Sequence, residues 1–320
     1  MSRDAPNTAI RVAARLANRF ALDLIKLTGF GRDVVDGLLL SAISQANLAQ
    51  VARSPDLQRR YATLNTPPPD ELRRPVSVSA IANSLQVPFE TARRRIAALS
   101  ATGLVIQTPR GVTIPTAPVN SETYRAFASA QAALVRDLYL RLRRIDLLAD
   151  LPAQTGPAFD PADPPVRLVV RLSSDYLLRL AEPISTHIGD MVSGLILMEI
   201  INANTEHLGD DEGGTPGPEW TAEGFVPDAM RRPVRAAALS SRLGVASETV
   251  RRRLSRLATE GLCERNGDGY LIPAQVLARE NFVRFMTDNQ SHLNRLFTAL
   301  AEFGVLSQWE AEESGVRGAA

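Results

Sequence analysis

The chain has 320 residues, a length that predicts two domains of about 150 residues each. Its formal net charge is +1 and its apolar fraction is 45%, as in an ordinary water-soluble protein. No apolar run approaches the ~20 residues that a membrane-spanning helix needs, and a single cysteine excludes an intramolecular disulfide. We therefore expect a cytoplasmic protein, since Ala5-Pro6-Asn7 leads into an amphipathic helix rather than a signal peptide.

Hydrophobic periodicity predicts the same series of elements twice along the chain. Each series consists of an N-terminal helix, a long apolar helix, a polar Pro-rich insert, a compact basic segment and a closing helix. In the first series these elements lie at residues 11–28, 31–51, 54–75, 73–115 and 120–148. In the second series they lie at residues 167–182, 188–204, 205–233, 231–273 and 276–303. Leu39, Ile43 and Leu48 are expected to pack under the basic segment, and the tail from Glu313 is expected to fray.

Residues 151–165 join the two series and contain five prolines. This composition predicts a linker between domains. We therefore expect a first unit at residues 1–150 and a second unit at residues 166–320.

The basic segments are two copies of one pattern, which we call the first copy (73–115) and the second copy (231–273). At a constant offset of 158, 18 of the 43 positions are identical, including Arg73-Arg74-Pro75-Val76 and the run Arg93-Arg94-Arg95. The duplication extends to the preceding helices, because residues 11–24 align with 167–180 and residues 33–47 with 190–204. An internal repeat of this kind decides the architecture of the whole chain.

Each copy has a short helix, a tight turn, a longer helix and a hairpin. In the first copy the helices are expected at 79–85 and 88–101, with the turn at Gln86-Val87. Ala92, Ile96 and Leu99 are spaced four and three apart, so they form an inward apolar stripe. Gly103 ends the helix, and two short strands close around Pro109-Arg110-Gly111. The second copy has Gly244-Val245 at the turn, Ser247 as the expected N-cap, and Asn266-Gly267-Asp268-Gly269 at the hairpin.

This order of elements is that of a winged helix-turn-helix. Residues 243–252 (LGVASETVRR), followed by Leu254, Leu257 and Glu260-Gly261-Leu262, resemble the DNA-binding part of bacterial GntR-, DeoR- and MarR-type regulators. The resemblance implies that the longer helix enters the DNA major groove with its N-terminal residues on base edges. It also implies that the hairpin, or wing, contacts the backbone or the minor groove.

Helices on both sides of a winged core also resemble the MarR-type protomer, whose terminal helices build a dimer interface. The chain departs from that family in its long insert, in a wing without the family's acidic and arginine residues, and in carrying two protomers. We expect a mainly α fold with small β wings: two tandem winged helix-turn-helix domains with flanking N- and C-terminal helices and pseudo-twofold symmetry. The flanking helices would pack together as an intramolecular pseudo-dimer, with a homodimer as the alternative.

Positive charge is concentrated in the two copies. The first copy has six arginines against one acid and the second has nine against four, so each carries +5. Lys26 is the only lysine, so nearly every cation is an arginine, which can bind guanine or phosphate in bidentate fashion. Such clustering is the charge distribution expected of a nucleic-acid-binding protein.

The longer helices carry the arginines predicted to bind double-stranded DNA. At ~100° per residue, Arg94 and Arg252 point outward, with Arg93 and Arg251 beside them. Arg95 and Arg253 lie nearer the core, where they would meet phosphate. The alternative for a run of three arginines is a solvated charged face, but its repetition at the same phase in two helices favours DNA contact.

The remaining predicted DNA contacts lie in the first helical turns and in the wings. Glu90 and Glu248 either form i,i+4 ion pairs with Arg94 and Arg252, or accept from cytosine and brace the arginine. Thr91 and Thr249 are predicted phosphate contacts, and Ser247 is a predicted contact of the second copy. Arg110 and Arg265 are predicted to touch the DNA backbone, the alternative being a polar hairpin. Phe89 at the position of Ser247 indicates that the two copies need not bind the same sequence.

Other features indicate neither catalysis nor a cofactor. His187, His207 and His292 have no cysteine or paired carboxylate at metal-ligand spacing, so no metal or cofactor is expected. Cys263 is expected to be a small buried hydrophobic residue. No phosphate-binding glycine loop or catalytic-triad motif is present in the sequence. The insert at 205–230, with seven acids and no lysine or arginine, is a candidate site for a protein partner.

These features together predict a non-enzymatic, nucleoid-associated transcription regulator that binds specific double-stranded DNA through two winged units on one chain. A replication initiator or nucleoid-organising DNA binder is an alternative, because tandem winged units also occur there. A protein-interaction adaptor is the alternative of another class, because winged helices also bind proteins.

Overall fold

The structure is a computed structural model that describes residues 7–29, 31–145, 147–148, 151–153, 157–209 and 221–318. Over these residues the chain is mainly helical with two small antiparallel sheets of two strands each, which confirms the predicted secondary-structure class. The helices and strands of the first half are α1 Asn7–Thr28, α2 Val34–Asn47, α3 Ala49–Ala52, α4 Pro55–Arg60, α5 Val78–Ser84, α6 Phe89–Ala101, β1 Ile106–Thr108, β2 Gly111–Thr113 and α7 Glu122–Arg144. Those of the second half are α8 Val166–Arg179, α9 Ala181–Pro183, α10 Met191–Thr205, α11 Ala236–Leu243, α12 Ser247–Thr259, β3 Glu264–Asn266, β4 Gly269–Leu271, α13 Ala274–Leu277, α14 Glu280–Glu302 and α15 Val305–Gly318.

The two central apolar helices, α2 and α10, begin at equivalent aspartates. Asp33 is the N-cap of α2 and its side chain accepts hydrogen bonds from the N–H groups of Val35 and Asp36. Asp190 is the N-cap of α10 and accepts from the N–H group of Ser193. An N-cap carboxylate satisfies donors that have no partner inside the helix. The starts of both helices are therefore fixed by the duplicated aspartates rather than by the apolar runs.

Several predicted boundaries were wrong for local reasons. The apolar helices are shorter than predicted, because the N-caps delay their start and a π turn, Ile184–Ile188, precedes α10. The insert at 54–75 is not only loop, since it contains α4, and the tail does not fray at Glu313, since α15 continues to Gly318. Leu39 and Ile43 lie in the main core as predicted, whereas Leu48 belongs to a separate small cluster with Val51 and Tyr61.

The core is continuous between the two halves. Helix α1 packs on α2 and α7 of its own half and on α10 and α14 of the other half. Helix α8 repeats this arrangement, since it packs on α14 of its own half and on α2 and α7 of the first half. The buried apolar residues of both halves accordingly form one cluster. Each N-terminal helix thus covers the central helix of the opposite half.

Arginines at aligned positions of α1 and α8 add hydrogen bonds to this packing of each N-terminal helix on the opposite half, which we call the exchange of α1 and α8. Arg15 of α1 donates through Nη2 to the carbonyl of Gly209, 2.9 Å away in the second half. Arg171 of α8 occupies the aligned position and donates to the carbonyls of Tyr61 (2.7 Å) and Gln58 (2.8 Å) in the first half. Burial lowers the pKa of Arg171 to about 10, because the charged guanidinium is desolvated, and the positive charge of Arg167 acts in the same direction. The two halves are therefore joined by polar contacts as well as by apolar packing.

Each central helix also contains one glycine where another segment passes close by. A Cβ atom on Gly37 would lie 2.8 Å from the backbone nitrogen of Gly29, and one on Gly194 would lie 2.4 Å from Cγ2 of Ile184. These positions are equivalent at an offset of 157. The absence of a side chain lets the preceding segment pack directly on the central helix in both halves.

No single described helix has both the length and the apolarity required to cross a membrane; one pair, Val166–Ile188 and Met191–Thr205, meets the criteria only when joined across a bend of 91°.

Candidate nucleic-acid interface

The two copies have the same local architecture. In the first, α5 packs on α6 and the hairpin β1–β2 follows; in the second, α11 packs on α12 and β3–β4 follows. Ala92, Ile96 and Leu99 of α6 are fully buried, and so are Val250, Leu254 and Leu257 of α12. The predicted apolar stripes are therefore confirmed. Burying one stripe leaves the opposite face of each helix exposed.

An isolated β-bridge joins each hairpin to a residue near the start of its copy. Val76 forms an isolated bridge with Val112 of β2, and Val234 forms the equivalent bridge with Tyr270 of β4. Gly111 lies beside this bridge with φ = 129°, and a Cβ atom there would be 2.5 Å from the carbonyl oxygen of Val76. Glycine is thus required where the two backbones meet.

A buried asparagine fixes each hairpin to the central helix. The Nδ2 atom of Asn47 donates to the carbonyls of Arg74 (2.7 Å) and Val112 (3.0 Å), and its Oδ1 accepts from the N–H of Ile114 (2.9 Å). Asn204 repeats all three bonds, with Arg232 (2.8 Å), Tyr270 (3.2 Å) and Ile272 (3.0 Å). The sequence interpretation missed this role. The signal was present, because the two asparagines are aligned at an offset of 157 near the ends of α2 and α10.

The third arginine of each run binds carboxylates of its own half. Arg95 is hydrogen-bonded to Asp33 and, at 2.8 Å, to Asp36. Arg253 is hydrogen-bonded to Asp190 at 2.6 Å. Although burial acts to lower the pKa of Arg95, its hydrogen bonds with the two aspartates outweigh burial and raise that pKa. These two arginines therefore hold the longer helix on the central helix, and their predicted contact with phosphate stays a prediction.

The first two arginines of each run lie on the exposed face. Arg93 pairs with Glu90 at 2.9 Å and Arg251 pairs with Glu248 at 3.1 Å, and all four side chains are more than half exposed. Arg94 and Arg252 are exposed as well, and no ion pair is found for them in the part of the chain that the structure describes. The i,i+4 pairs of Glu90 with Arg94 and of Glu248 with Arg252, one of the two alternatives given for these glutamates, are not formed, because each glutamate pairs with the arginine at i+3 instead. The outermost arginine is thereby left open to solvent in each copy.

The first turns of the two helices differ. Thr91 and Thr249 are partly buried at equivalent positions. Ser247 is exposed. It was predicted to be the N-cap of α12, but Ala246 occupies that position and Ser247 is the first residue of the helix. The hydroxyl of Ser247 instead lies 3.0 Å from the hydroxyl of Ser240 in α11, which donates to the carbonyl of Val245. Ser247 therefore ties the start of α12 to the preceding helix.

The two hairpin tips carry opposite charges. Arg110 is exposed at the tip of the first hairpin, and the aligned residue of the second is Asp268. Asp268 lies 3.7 Å from Arg235, whose side chain is 75% exposed. Arg265 is exposed on β3 and its Nε donates to the carbonyl of Gly267 at 3.3 Å. Arg235 is a further exposed cation beside this hairpin that the sequence interpretation did not single out.

Part of the positive charge of each copy is internal. Arg73 and Arg231 open the two copies, but both are buried and pair with Asp70 (3.2 Å) and Asp228 (3.4 Å). Burial lowers the pKa of Arg231 to about 10, against the opposing effect of Asp228. With Arg95 and Arg253 also paired, the exposed charge of each copy is smaller than the +5 counted from the sequence. It is concentrated on α6, α12 and the hairpins.

The second copy contacts the N-terminus of α2 through one turn. Gly244, with φ = 65°, ends α11, and a Cβ atom there would lie 3.0 Å from Cα of Asp33. Asp33 also binds Arg95 of α6. The N-terminus of α2 thus connects the longer helix of the first copy with the turn that precedes the longer helix of the second.

The remaining candidate residues are a buried cysteine, possible metal ligands and the acidic insert. Cys263 is buried, as predicted, and burial raises the pKa of its thiol to about 11. Among the described residues, no group of three or more His, Cys, Asp or Glu side chains could hold a metal ion. Of the acidic insert at 205–230, Glu206 pairs with Arg242 at 2.6 Å. Residues 210–220, which include Trp220, lie outside the described residues.

Comparisons of the chain with protein-family models, with curated proteins and with solved structures found no match.

Proposed function

We propose that the chain is a transcription regulator that binds double-stranded DNA through two winged helix-turn-helix units, with α6 and α12 as the recognition helices. The observation that carries this proposal is the division of labour within the repeated arginine run. In each copy the third arginine is bound by an N-cap aspartate, while the outermost one is exposed without an ion pair among the described residues. If the repeated run served only for packing, its first two arginines would not be expected to be exposed to solvent in both copies.

The proposed contacts follow from helix geometry. Residues in the first two turns of a recognition helix reach base edges, and arginine binds guanine O6 and N7 in bidentate fashion. Arg94 and Arg252 would make such contacts, with Arg93 and Arg251 beside them. Glu90 and Glu248 orient these neighbours through the i,i+3 pairs and could accept from cytosine N4. Thr91 and Thr249 stand in the same turns and would bind phosphate.

The hairpins would supply backbone contacts of unequal strength. Arg110 on the first hairpin and Arg265 on the second are exposed cations that suit phosphate. Asp268, paired with Arg235, opposes phosphate at the second tip. We therefore assign most of the wing contact to the first hairpin.

The fixed packing of the two halves supports the use of both units on one DNA molecule. The exchanged helices α1 and α8, and the contact of Gly244 with Asp33, hold the copies in one arrangement. We propose that the chain acts as an intramolecular pseudo-dimer. Light scattering on the purified protein should then give the mass of one chain, and a dimer mass would favour a homodimer instead.

A double variant tests the assignment of the recognition helices. We expect Arg94→Ala with Arg252→Ala to weaken binding to a selected duplex by about 1–3 kcal/mol for each arginine that contacts a base. The matched control is Arg53→Ala with Arg284→Ala, which removes the same charge from exposed positions on α14 and after α3. Equal affinity of the wild type and the first double variant would reject the assignment.

Two measurements separate the alternative functions. A protein-interaction adaptor would show no salt-dependent affinity for DNA. A replication initiator or a nucleoid-organising protein would bind DNA, but a genome-wide binding map would then show origins or broad coverage rather than a few promoters.

A further inference from the structure

Large apolar side chains are exposed chiefly in the first copy. In the described residues, those with the greatest exposure are Phe89 (46%), Ile106 (49%) and Met230 (43%). Phe89 is the first residue of α6 and Ile106 begins β1, so both lie in elements proposed to face DNA. The aligned residues of the second copy are the polar Ser247 and Glu264.

The exposure of Phe89 is not required by the packing of α6. The buried stripe of this helix is complete without it, since Ala92, Ile96 and Leu99 are each fully buried. In the second copy the residue at this position has a structural role, because the hydroxyl of Ser247 is hydrogen-bonded to the hydroxyl of Ser240 in the preceding helix. The first copy has Ala82 in place of Ser240, so that bond is lost and a phenyl ring projects at the helix start.

The surroundings of Phe89 indicate what would cover it. Arg93 lies four residues further along α6, on the same side of the helix, and is itself exposed. Arg94 and Arg110 add two more exposed cations in the same copy. An exposed apolar ring in a copy with three exposed arginines suits a surface that is anionic and carries a small apolar group. In the major groove of DNA that group is the C5-methyl of thymine.

We propose that Phe89 is a specificity-determining residue that contacts a thymine methyl, so that the first copy binds a T-containing half-site and the second copy a different one. This inference rests on the proposed DNA-binding function. It predicts a site with two unlike halves, in contrast to the palindrome bound by a homodimer of identical subunits.

Selection from a random duplex library tests the proposal with the full chain. The wild type should enrich a thymine at one position of one half-site, and Phe89→Ser, which installs the residue of the second copy, should lose that preference. Replacing this thymine by deoxyuridine removes only the methyl group. It should weaken wild-type binding about fourfold, the value of one buried methyl-sized group, and leave Phe89→Ser unchanged.

The outcomes are distinguishable from failure of the proposed function. If the wild type binds selected duplexes but deoxyuridine has no effect, or if Phe89→Ser enriches the same sequence, the role of Phe89 is refuted and DNA binding stands. If the wild type binds no duplex, both proposals fail. The deoxyuridine comparison uses unaltered protein, so the absence of an effect refutes the role of Phe89 even if the variant folds poorly.

Discussion

Asn47, the last residue of α2, and Asn204, the penultimate residue of α10, occupy aligned positions, and each bonds the same three backbone groups of its own half. Both are fully buried. A buried amide that satisfies two carbonyls and one N–H at once fixes the position of a hairpin more firmly than apolar packing alone. The hairpin of each copy is therefore held on its central helix by one polar residue.

We expect Asn204→Ala to destabilise the protein by roughly 2–4 kcal/mol, because it leaves the buried N–H of Ile272 without its acceptor and removes a donor from the carbonyls of Arg232 and Tyr270. The carbonyl of Tyr270 keeps its bond from the N–H of Val234. Urea unfolding would measure this loss. Asn202→Ala on the same helix is the matched control and should cost less than about 0.5 kcal/mol. Equal midpoints for the two variants would show that the tether is not important for stability.

The turn between the two helices of each copy provides a second test. Gln86 has φ = 53° and Gly244 has φ = 65°, so both copies use the left-handed region although only one has glycine there. Gly244→Ala should cost about 1–3 kcal/mol, since it adds left-handed strain and a contact with Asp33. Gln86→Gly should be neutral or stabilise by up to about 1 kcal/mol. A loss of stability in Gln86→Gly as large as that in Gly244→Ala would contradict this account of the turn.

The carboxylate of Asp190 provides a test that depends on pH. Burial acts to raise its pKa, but hydrogen bonds from Ser193 and the charges of Arg253 and Arg256 outweigh burial, and the net pKa is lowered. A carboxyl with a lowered folded-state pKa stabilises the protein above its unfolded value, ~3.9, and this stability is lost as the pH falls through the folded pKa.

Asp190→Asn keeps an N-cap residue but removes the charge. We expect it to lower the free energy of unfolding by about 1–2 kcal/mol at pH 7, with the difference from the wild type shrinking below about pH 4. Asp175→Asn, which breaks an exposed i,i+4 pair with Arg179, is the control and should have little effect at either pH. A constant difference between Asp190→Asn and the wild type at all pH values would refute the charge as its cause.

Cys263 reports on the integrity of the second copy. Because burial raises the pKa of its thiol to about 11, little thiolate is present near pH 8, and the side chain is 1% exposed. Iodoacetamide should therefore label the native protein slowly and the urea-unfolded protein quickly. Labelling of the native protein at the rate of a free thiol would show that β3 and its neighbours open readily.

The sequence predicted best what depends on local pattern. The 3.6-residue stripe of α6, the hairpin around Pro109-Arg110 and the burial of Cys263 could all be predicted because each depends on neighbouring residues. The partners of charged side chains could not. Whether Glu90 pairs with Arg93 or Arg94 depends on rotamers, and the binding of Arg95 by Asp33 joins residues 62 positions apart. The exchange of α1 and α8 between halves also has no local signal.

The most direct test of the account is the salt dependence of duplex binding by the wild-type chain. Up to six exposed arginines, Arg93, Arg94, Arg110, Arg251, Arg252 and Arg265, are placed to meet DNA. If four or more meet phosphate, the logarithm of the association constant should fall with the logarithm of the salt concentration with a slope of roughly −4 or steeper. A slope near zero, or no measurable affinity at low salt, would contradict DNA binding by these two helices.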